Sequence, residues 1–301
     1  MEPPTNAGRS YPSTYFVHDR SSAEELNRLH LQDELVTAGM GGILPEQPDP
    51  TLLRSILDIG CGTGGWLIEA AKTFPSLSRL VGVDASPKMI SYATAQAQVA
   101  GQQERRLQFR QMDALRLLEF PDASFDLVNL RFGASFLRTW EWPRLLGECQ
   151  RVCRAGGVIR ITEAEMMLSS SPALSRISEV ALEALYQAGH FFTPERDGLI
   201  SELAALLHTS GVQNVQTQRH TLHYRAETRA GQAFAEDMKH LFRTTLPFMR
   251  KWGRVPADYE AIYQQMLLEM SQPDFEASWT LLTAWGHPIG SAHAQSNPHP
   301  R

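Results

Sequence analysis

From residue 52 the chain alternates short apolar runs with amphipathic stretches. "RSILDIG" (54–60) has the pattern of a buried strand, and residues 64–74 carry apolar positions at helical spacing up to Pro75. "RLVGVDA" (79–85) predicts a second strand. "SPKMISYATAQAQVAG" (86–101) predicts a helix with Ser86 as cap, Pro87 in its first position and Gly101 at its end. Strands three and four follow in "RLQFRQMDA" (106–114) and "FDLVNLRF" (125–132). A helix over "WPRLLGECQRVCRAGG" (142–157) runs into a fifth strand, "GVIRITEA" (157–164). Strands alternating with crossover helices predict a parallel sheet covered by helices on both faces.

The rhythm changes after Glu163. Residues 172–190 predict an apolar helix, "TPERDGLISELAALLHTSG" (193–211) a capped helix, and "VQNVQTQRHTLHYR" (212–225) a strand. Residues 230–270 predict two helices interrupted near Pro247 and Pro256, and "ASWTLLTAWG" (277–286) a last strand. Upstream, residues 21–40 open on a Ser cap and space Leu26, Leu29, Leu35 and Val36 helically. A Gly/Pro-rich link (41–50) separates that helix from the main body. These breaks predict an N-terminal helical lid over 1–50, a Rossmann-like core over 51–163, the rest of the sheet with helical cap insertions over 164–290, and a disordered polar tail over 291–301.

Composition narrows the class without naming a chemistry. Apolar residues make up 43% and charged residues 20% of 301, an ordinary globular balance. A net charge of −5 with interspersed signs argues against a nucleic-acid surface. Residues 1–15 lack the apolar core of a signal peptide, and no run of about 18 apolar residues predicts a membrane span. Three cysteines, Cys61, Cys149 and Cys153, form no disulfide framework and suit a reducing cytoplasm. No metal constellation is visible; Cys149 and Cys153 share a helix face and read as packing.

The candidate chemistry lies in "LDIGCGTGG" (57–65). A glycine turn that closes a strand and opens a helix lets a ligand approach the backbone, and its N–H groups favour an anion. Gly60, Gly62 and Gly65 match the dinucleotide spacing, which alone is a weak signal. Asp58 changes the picture: a carboxylate there repels a pyrophosphate but suits a ligand carrying an ammonium and a sulfonium. Asp84 ends strand two, where an acid accepts ribose hydroxyls, and Asp113 ends strand three beside the same edge.

"DIGCGTGG", "VGVDASPKMI", "MDA", "FPDASFDLV" and "RAGG" stand in the order and spacing of a known family. The set resembles the class I S-adenosylmethionine (SAM)-dependent methyltransferases, especially the small-molecule enzymes related to ubiquinone and menaquinone biosynthesis. The resemblance is specific over about 52–163 and only one of plan beyond. It implies a Rossmann-like seven-stranded sheet with an antiparallel last strand, SAM as methyl donor and S-adenosyl-L-homocysteine as product. It also implies a small-molecule acceptor as partner; the oligomeric state expected is monomer or homodimer.

Carried onto this chain, the resemblance implies that Asp58, Gly60, Gly62 and Gly64 shape the methionine side of the cofactor site, with Cys61 as a small residue in the turn. Asp84 and Ala85 meet the ribose, Met89 flanks the adenine, and Met112, Asp113 and Ala114 meet its edge. Asn129 and Arg131 border the transferred methyl. Tyr15 and Gln32 belong to the lid, with Gln32 donating to the methionine carboxylate. Each has a plainer alternative: Asp113 as a helix cap, Met89 as core, Arg131 in a surface ion pair, Gln32 on an exposed helix face.

The cap segments hold many Met and aromatic residues, among them Met166, Met167, Phe191, Phe242, Phe248 and Met249. Such an inventory suits an apolar, ring-bearing or isoprenoid acceptor, although most of it is needed for the cap's own core. Methyl transfer from a sulfonium needs alignment above all, and an acceptor of high pKa also needs a base. The candidate bases are His190, then Glu163 at the end of strand five, then His18. Two functional classes stay open: a SAM-dependent small-molecule methyltransferase, and a SAM-binding protein on the same scaffold that transfers no methyl group. A nicotinamide oxidoreductase fits Asp58 poorly.

Overall fold

The computed structural model describes residues 23–289. Tyr15, His18 and the 291–301 tail lie outside the described residues. The helix α1 (Ala23–Gly39) precedes the first strand, β1 (Ser55–Ile59). Helices and strands then alternate except between β3 and β4, which no helix separates: α2 (Gly65–Thr73), β2 (Arg79–Asp84), α3 (Pro87–Val99), β3 (Leu107–Gln111), β4 (Phe125–Arg131), α4 (Trp142–Val152) and β5 (Cys153–Ala164). The remainder comprises β6 (Leu168–Ser169), α5 (Pro172–Gln187), α6 (Leu203–Thr209), β7 (Gln213–Arg225), α7 (Arg229–Thr244), α8 (Leu246–Trp252), α9 (Tyr259–Met270) and β8 (Glu276–His287).

The strands form one sheet in the order β3-β2-β1-β4-β5-β8-β6, with β7 paired to β8. β1 to β5 are parallel, and β8 runs antiparallel to both β5 and β7. The expected antiparallel last strand is present; the sheet has eight strands rather than seven, because the two-residue β6 pairs with the start of β8. β1 and β4 are buried on both faces, as parallel strands under two helix layers must be. Strand order reverses between β1 and β4, which opens a crevice at their carboxyl ends.

Local chemistry sets the element ends. The Ser86 hydroxyl accepts from the Met89 N–H, with Pro87 in the first turn of α3; Ser171 and Pro172 repeat the arrangement on α5. Three expectations change. The 193–211 helix shrinks to α6, because residues 193–202 form turns closed by Phe192 N–H donating to Gly198 O at 3.0 Å. The helix from Trp142 stops at Val152, and Cys153 already pairs with Phe125 in the sheet. Residues 230–270 hold three helices rather than two, since the chain restarts at α8 with Pro247 in its first turn.

α5, α7, α8 and α9 form the cap with α1, around Leu174, Phe234, Met238, Phe242, Met249, Met266 and Phe275. Each such side chain contributes about 1.5–3 kcal/mol when fully buried. Cys149 and Cys153 are free and buried, which raises both thiols above their usual range, Cys153 to about 12. They do not share a helix face as expected, because Cys149 is on α4 and Cys153 begins β5, but both are packed in the core. Among the described residues, no helix is long and apolar enough to cross a membrane.

Candidate active site

A cavity of about 850 Å³ opens above the carboxyl ends of β1, β2, β4 and β5 and reaches under the cap. Its volume lies within the range of small-ligand sites. One wall is the turn between β1 and α2. Gly60 and Gly62 stand there at φ +67° and +52°, in the left-handed region that side chains avoid. A Cβ on Gly60 would lie 2.9 Å from the Phe136 ring, whereas a Cβ on Gly62 would meet nothing within 4 Å. Gly62 therefore keeps its backbone bare toward the cavity. Gly64 caps α2 and is not on the cavity wall.

Gly60→Ala should strain the turn by about 1–2 kcal/mol and push on Phe136. The expected result is a melting temperature lower by ~2–6 °C together with weaker SAM binding. Thermal scans and calorimetry on the same preparation check both halves.

The turn is tied to β2. The Cys61 N–H donates to Val83 O at 3.0 Å, and the Gly62 N–H donates to Asp84 Oδ2 at 3.2 Å. Asp84 Oδ1 accepts from the Ser86 N–H at 2.8 Å, so the carboxylate is held at both oxygens beside the cavity. Ala85, Met89, Met112, Asp113 and Ala114 continue this wall. Asp113 also accepts from the Leu115 N–H at 2.9 Å, so the turn-capping role is present as well. Burial pushes the Cys61 thiol well above its ordinary value, which removes it as a nucleophile.

Asp58 lies at the floor, 4% exposed, and Asn129 Nδ2 donates to its Oδ1 at 2.7 Å. Burial raises its carboxyl to about 7, against the opposing pull of Arg131 and of the Asn129 hydrogen bond. Asn129 was expected to border the transferred methyl. It is fully buried and not on the cavity wall; its amide is spent between Asp58 and Arg160. Arg131 does line the cavity, but its guanidinium is paired with Asp33 of α1 and lies 5.6 Å from the Trp66 ring centre.

The helix α1 also contributes to the wall, through Arg28, Leu29, Gln32 and Asp33. Gln32 is on the cavity wall, but its amide nitrogen donates to Asp237 Oδ2 of α7 at 3.4 Å. Asp237 also forms a buried ion pair with Arg28 at 3.2 Å, so α1 is tied to the cap across the cavity. Sequence reasoning missed Arg28, Asp33 and Asp237. Their partners are remote in the chain, 209 residues apart for Arg28 and Asp237, and no local spacing links them.

Under the cap the wall turns apolar: Met166, Met167, Phe191, Phe242, Phe248, Met249 and Trp279 face the cavity. Tyr186, Phe234, Met238, Tyr259 and Tyr263 do not. Near the end of β5, Glu163 lines the same cavity, 1% exposed, accepting from the Gly133 N–H and, at 3.5 Å, from the Ala134 N–H. Burial raises its carboxyl to about 8, and the two N–H donors pull it down only in part. Glu165, also on this wall, is paired with Arg196 at 2.8 Å.

His190, the first candidate base, is corrected in position. It is fully buried and off the cavity wall, with Nδ1 2.9 Å from Leu137 O and its ring against Phe248. Burial lowers it to about 4, so it stays neutral near pH 7 and packs against Phe248. Of the three candidate bases, only Glu163 reaches the cavity among the described residues. No group of three or more His, Cys, Asp or Glu suited to a metal ion occurs among them either.

Residues 56–157 match a family model described as a methyltransferase domain. Over 110 residues the chain is 37% identical to demethylmenaquinone methyltransferase of Deinococcus radiodurans, covering 36% of this chain and 43% of that protein. The match thus spans less than half of that relative's length. Among solved structures, the YcgJ protein of Bacillus subtilis superposes with a TM-score of 0.53 at 21% identity, over 87% of this chain and 99% of that one. Phosphoethanolamine N-methyltransferase 2 of Haemonchus contortus, solved with S-adenosyl-L-methionine, gives 0.52 at 17% identity, over 91% and 60%. At these identities the superpositions show a shared fold.

Proposed function

We propose that this chain, which carries a class I SAM-dependent methyltransferase domain, moves a methyl group from SAM to a small, largely apolar acceptor. The observation that carries the reading is the two-part cavity: a polar half built on the glycine turn, Asp58 and Asp84, continuous with a Met/aromatic half under the cap. The polar half fits SAM. Gly62 leaves backbone exposed where a Cβ would intrude on a ligand, Asp58 offers a carboxylate to an ammonium, and Asp84 offers two fixed oxygens to a ribose. Met89, Asp113 and Ala114 remain for the adenine.

SAM bound there supplies a methyl group on a positively charged sulfur, an electrophile that needs no further activation. The protein's part is alignment and exclusion of water. The apolar half provides both, because Phe191, Phe242, Phe248 and Trp279 offer surface that holds an acceptor ring or chain and displaces solvent. In this reading Glu163, lining the cavity near the end of β5, takes the acceptor's proton. Glu165, on the wall of this half, is paired with Arg196.

Incubation with methyl-labelled SAM and a panel of phenols, quinols, amines and isoprenoids tests the reading. Label should move to uncharged, ring-bearing or isoprenoid members and leave S-adenosyl-L-homocysteine. SAM binding without transfer to any of them would favour a non-methylating use of the cofactor. Absence of SAM binding in calorimetry would remove both.

A further inference from the structure

The buried polar groups beneath the cavity form a line with a direction. Strand register sets Asp58 of β1 beside Asn129 of β4, and Asn129 beside Arg160 of β5. Arg160 is 1% exposed, in a strand whose neighbouring positions, Ile159 and Ile161, are apolar and buried. Its Nη1 donates to Asn129 Oδ1 at 2.8 Å. Its Nε and Nη2 fork onto Glu46 Oε1 and Oε2 at 2.7 and 3.2 Å. Glu46, from the segment between α1 and β1, has a fully buried side chain, and the Trp66 ring lies 5.9 Å from the Arg160 guanidinium.

A buried ion pair of this kind adds little net stability over an apolar replacement of the same volume. Its consequence is orientation. A guanidinium only donates, so the Asn129 amide must turn its oxygen to Arg160 and its NH₂ to Asp58. That NH₂ holds Asp58 Oδ1, which fixes the carboxylate plane on the cavity floor. The other charged or titratable groups facing Asp58 are Arg131 of β4, Asp33 of α1 and the Cys61 thiol of the turn. Arg131 and Asp33 are paired with each other.

We propose that Arg160, anchored by Glu46, is a positioning residue for the cofactor: through Asn129 it orients the Asp58 carboxylate toward the ammonium end of SAM. The inference rests on the cofactor reading above. It assigns a role in binding to two residues that touch neither cofactor nor acceptor.

The test uses two ligands. SAM carries the amino-acid arm; 5′-methylthioadenosine has the same nucleoside and lacks the ammonium and carboxylate. The double variant Glu46→Gln/Arg160→Met removes both charges together, so no unpaired ion stays buried. Calorimetry should show SAM affinity falling by about tenfold, the share of one hydrogen bond to a charged group, with methylthioadenosine affinity unchanged. Equal losses for both ligands, or none for SAM, would overturn the inference while leaving the cofactor reading intact. A wild-type protein that binds no SAM would overturn both. Should the double variant not fold, Arg160→Lys keeps the charge for Glu46 but cannot fork. It should lose SAM affinity selectively, and equal SAM affinity with wild type would overturn the proposal.

Discussion

Asp58→Asn should lower SAM affinity by about a hundredfold, the scale of losing one partner of a buried, hydrogen-bonded charge pair. The replacement keeps size and shape, and Asn129 Nδ2 can still donate to the new side-chain oxygen, so the turn should stay folded. Affinity for methylthioadenosine should stay within about twofold, because the Asp84 side of the site is untouched. The pH dependence carries a sign. Burial holds the Asp58 carboxyl at about 7, so below that value much of it is neutral and offers no charge to an ammonium. Wild-type SAM affinity should rise as pH increases through about 7 and level off above it; in the Asn variant that rise disappears. A wild-type affinity flat between pH 6 and 8 would show that the Asp58 carboxyl does not govern binding.

The same burial affects stability. Between pH 3.8, where an unfolded Asp ionises, and about 7, the folded protein keeps a proton on Asp58 that the unfolded chain has lost. Stability from this group is therefore lost as pH rises across that window, and a ligand that ionises Asp58 offsets the loss. A carboxylate made uncomfortable by burial and relieved by a cation is a functional arrangement rather than a stabilising one.

How much of this was readable from the sequence differs by region. The strands from 52 to 164 were legible where they are short apolar runs, as in β1, β2 and β4, and where Gly or Asp ends them, as Gly60, Asp84 and Asp113 do for β1 to β3. Those punctuation marks, Gly60, Gly62, Asp84 and Asp113, are also residues of the cavity wall, Asp113 while capping a turn as well. The cap was legible as helices and not as surfaces. Period-3.6 spacing places Phe234 and Phe242 on one helix face, yet Phe242 lines the cavity while Phe234 stacks on Tyr224. Which side of an apolar helix meets a ligand depends on the elements packed around it.

One local signal was in view and unused. Asn129 in "DLVNL" and Arg160 in "VIRIT" are polar residues inside strands buried on both faces, and such residues must find partners. Side-by-side register on neighbouring strands could have paired them with each other. Glu46 was beyond reach, 114 residues from Arg160 and in a Pro-rich link with no pattern of its own. His190 shows the opposite limit. Burial in a packed wall and access to a cavity look alike in a sequence.

Glu163→Gln should lower kcat for an acceptor that must shed a proton by about a hundredfold or more, the range of a lost general base. The carboxyl is held at about 8 by burial, so at pH 7 most of it is protonated and a minor fraction is able to accept a proton. Wild-type kcat should therefore rise with pH and reach a plateau above about 8, while the Gln variant gives a low, flat profile. The effect belongs in kcat rather than in the KM for SAM, because Glu163 lies beyond the glycine turn and Asp84. Stability should move the other way. Between pH 4.5 and about 8 the unfolded chain has released this proton and the folded protein has not, so the native Glu destabilises increasingly as pH rises through that window. The Gln amide oxygen can still accept from the Gly133 N–H without that cost, so the variant should melt higher than wild type at pH 8 and by less at pH 5. A variant that is more stable at pH 8, with kcat reduced and the pH profile flattened, marks a carboxyl kept buried for its chemistry. The same gain in stability with kcat unchanged would instead assign Glu163 to holding the Gly133 turn, and the acceptor's proton would then leave to solvent.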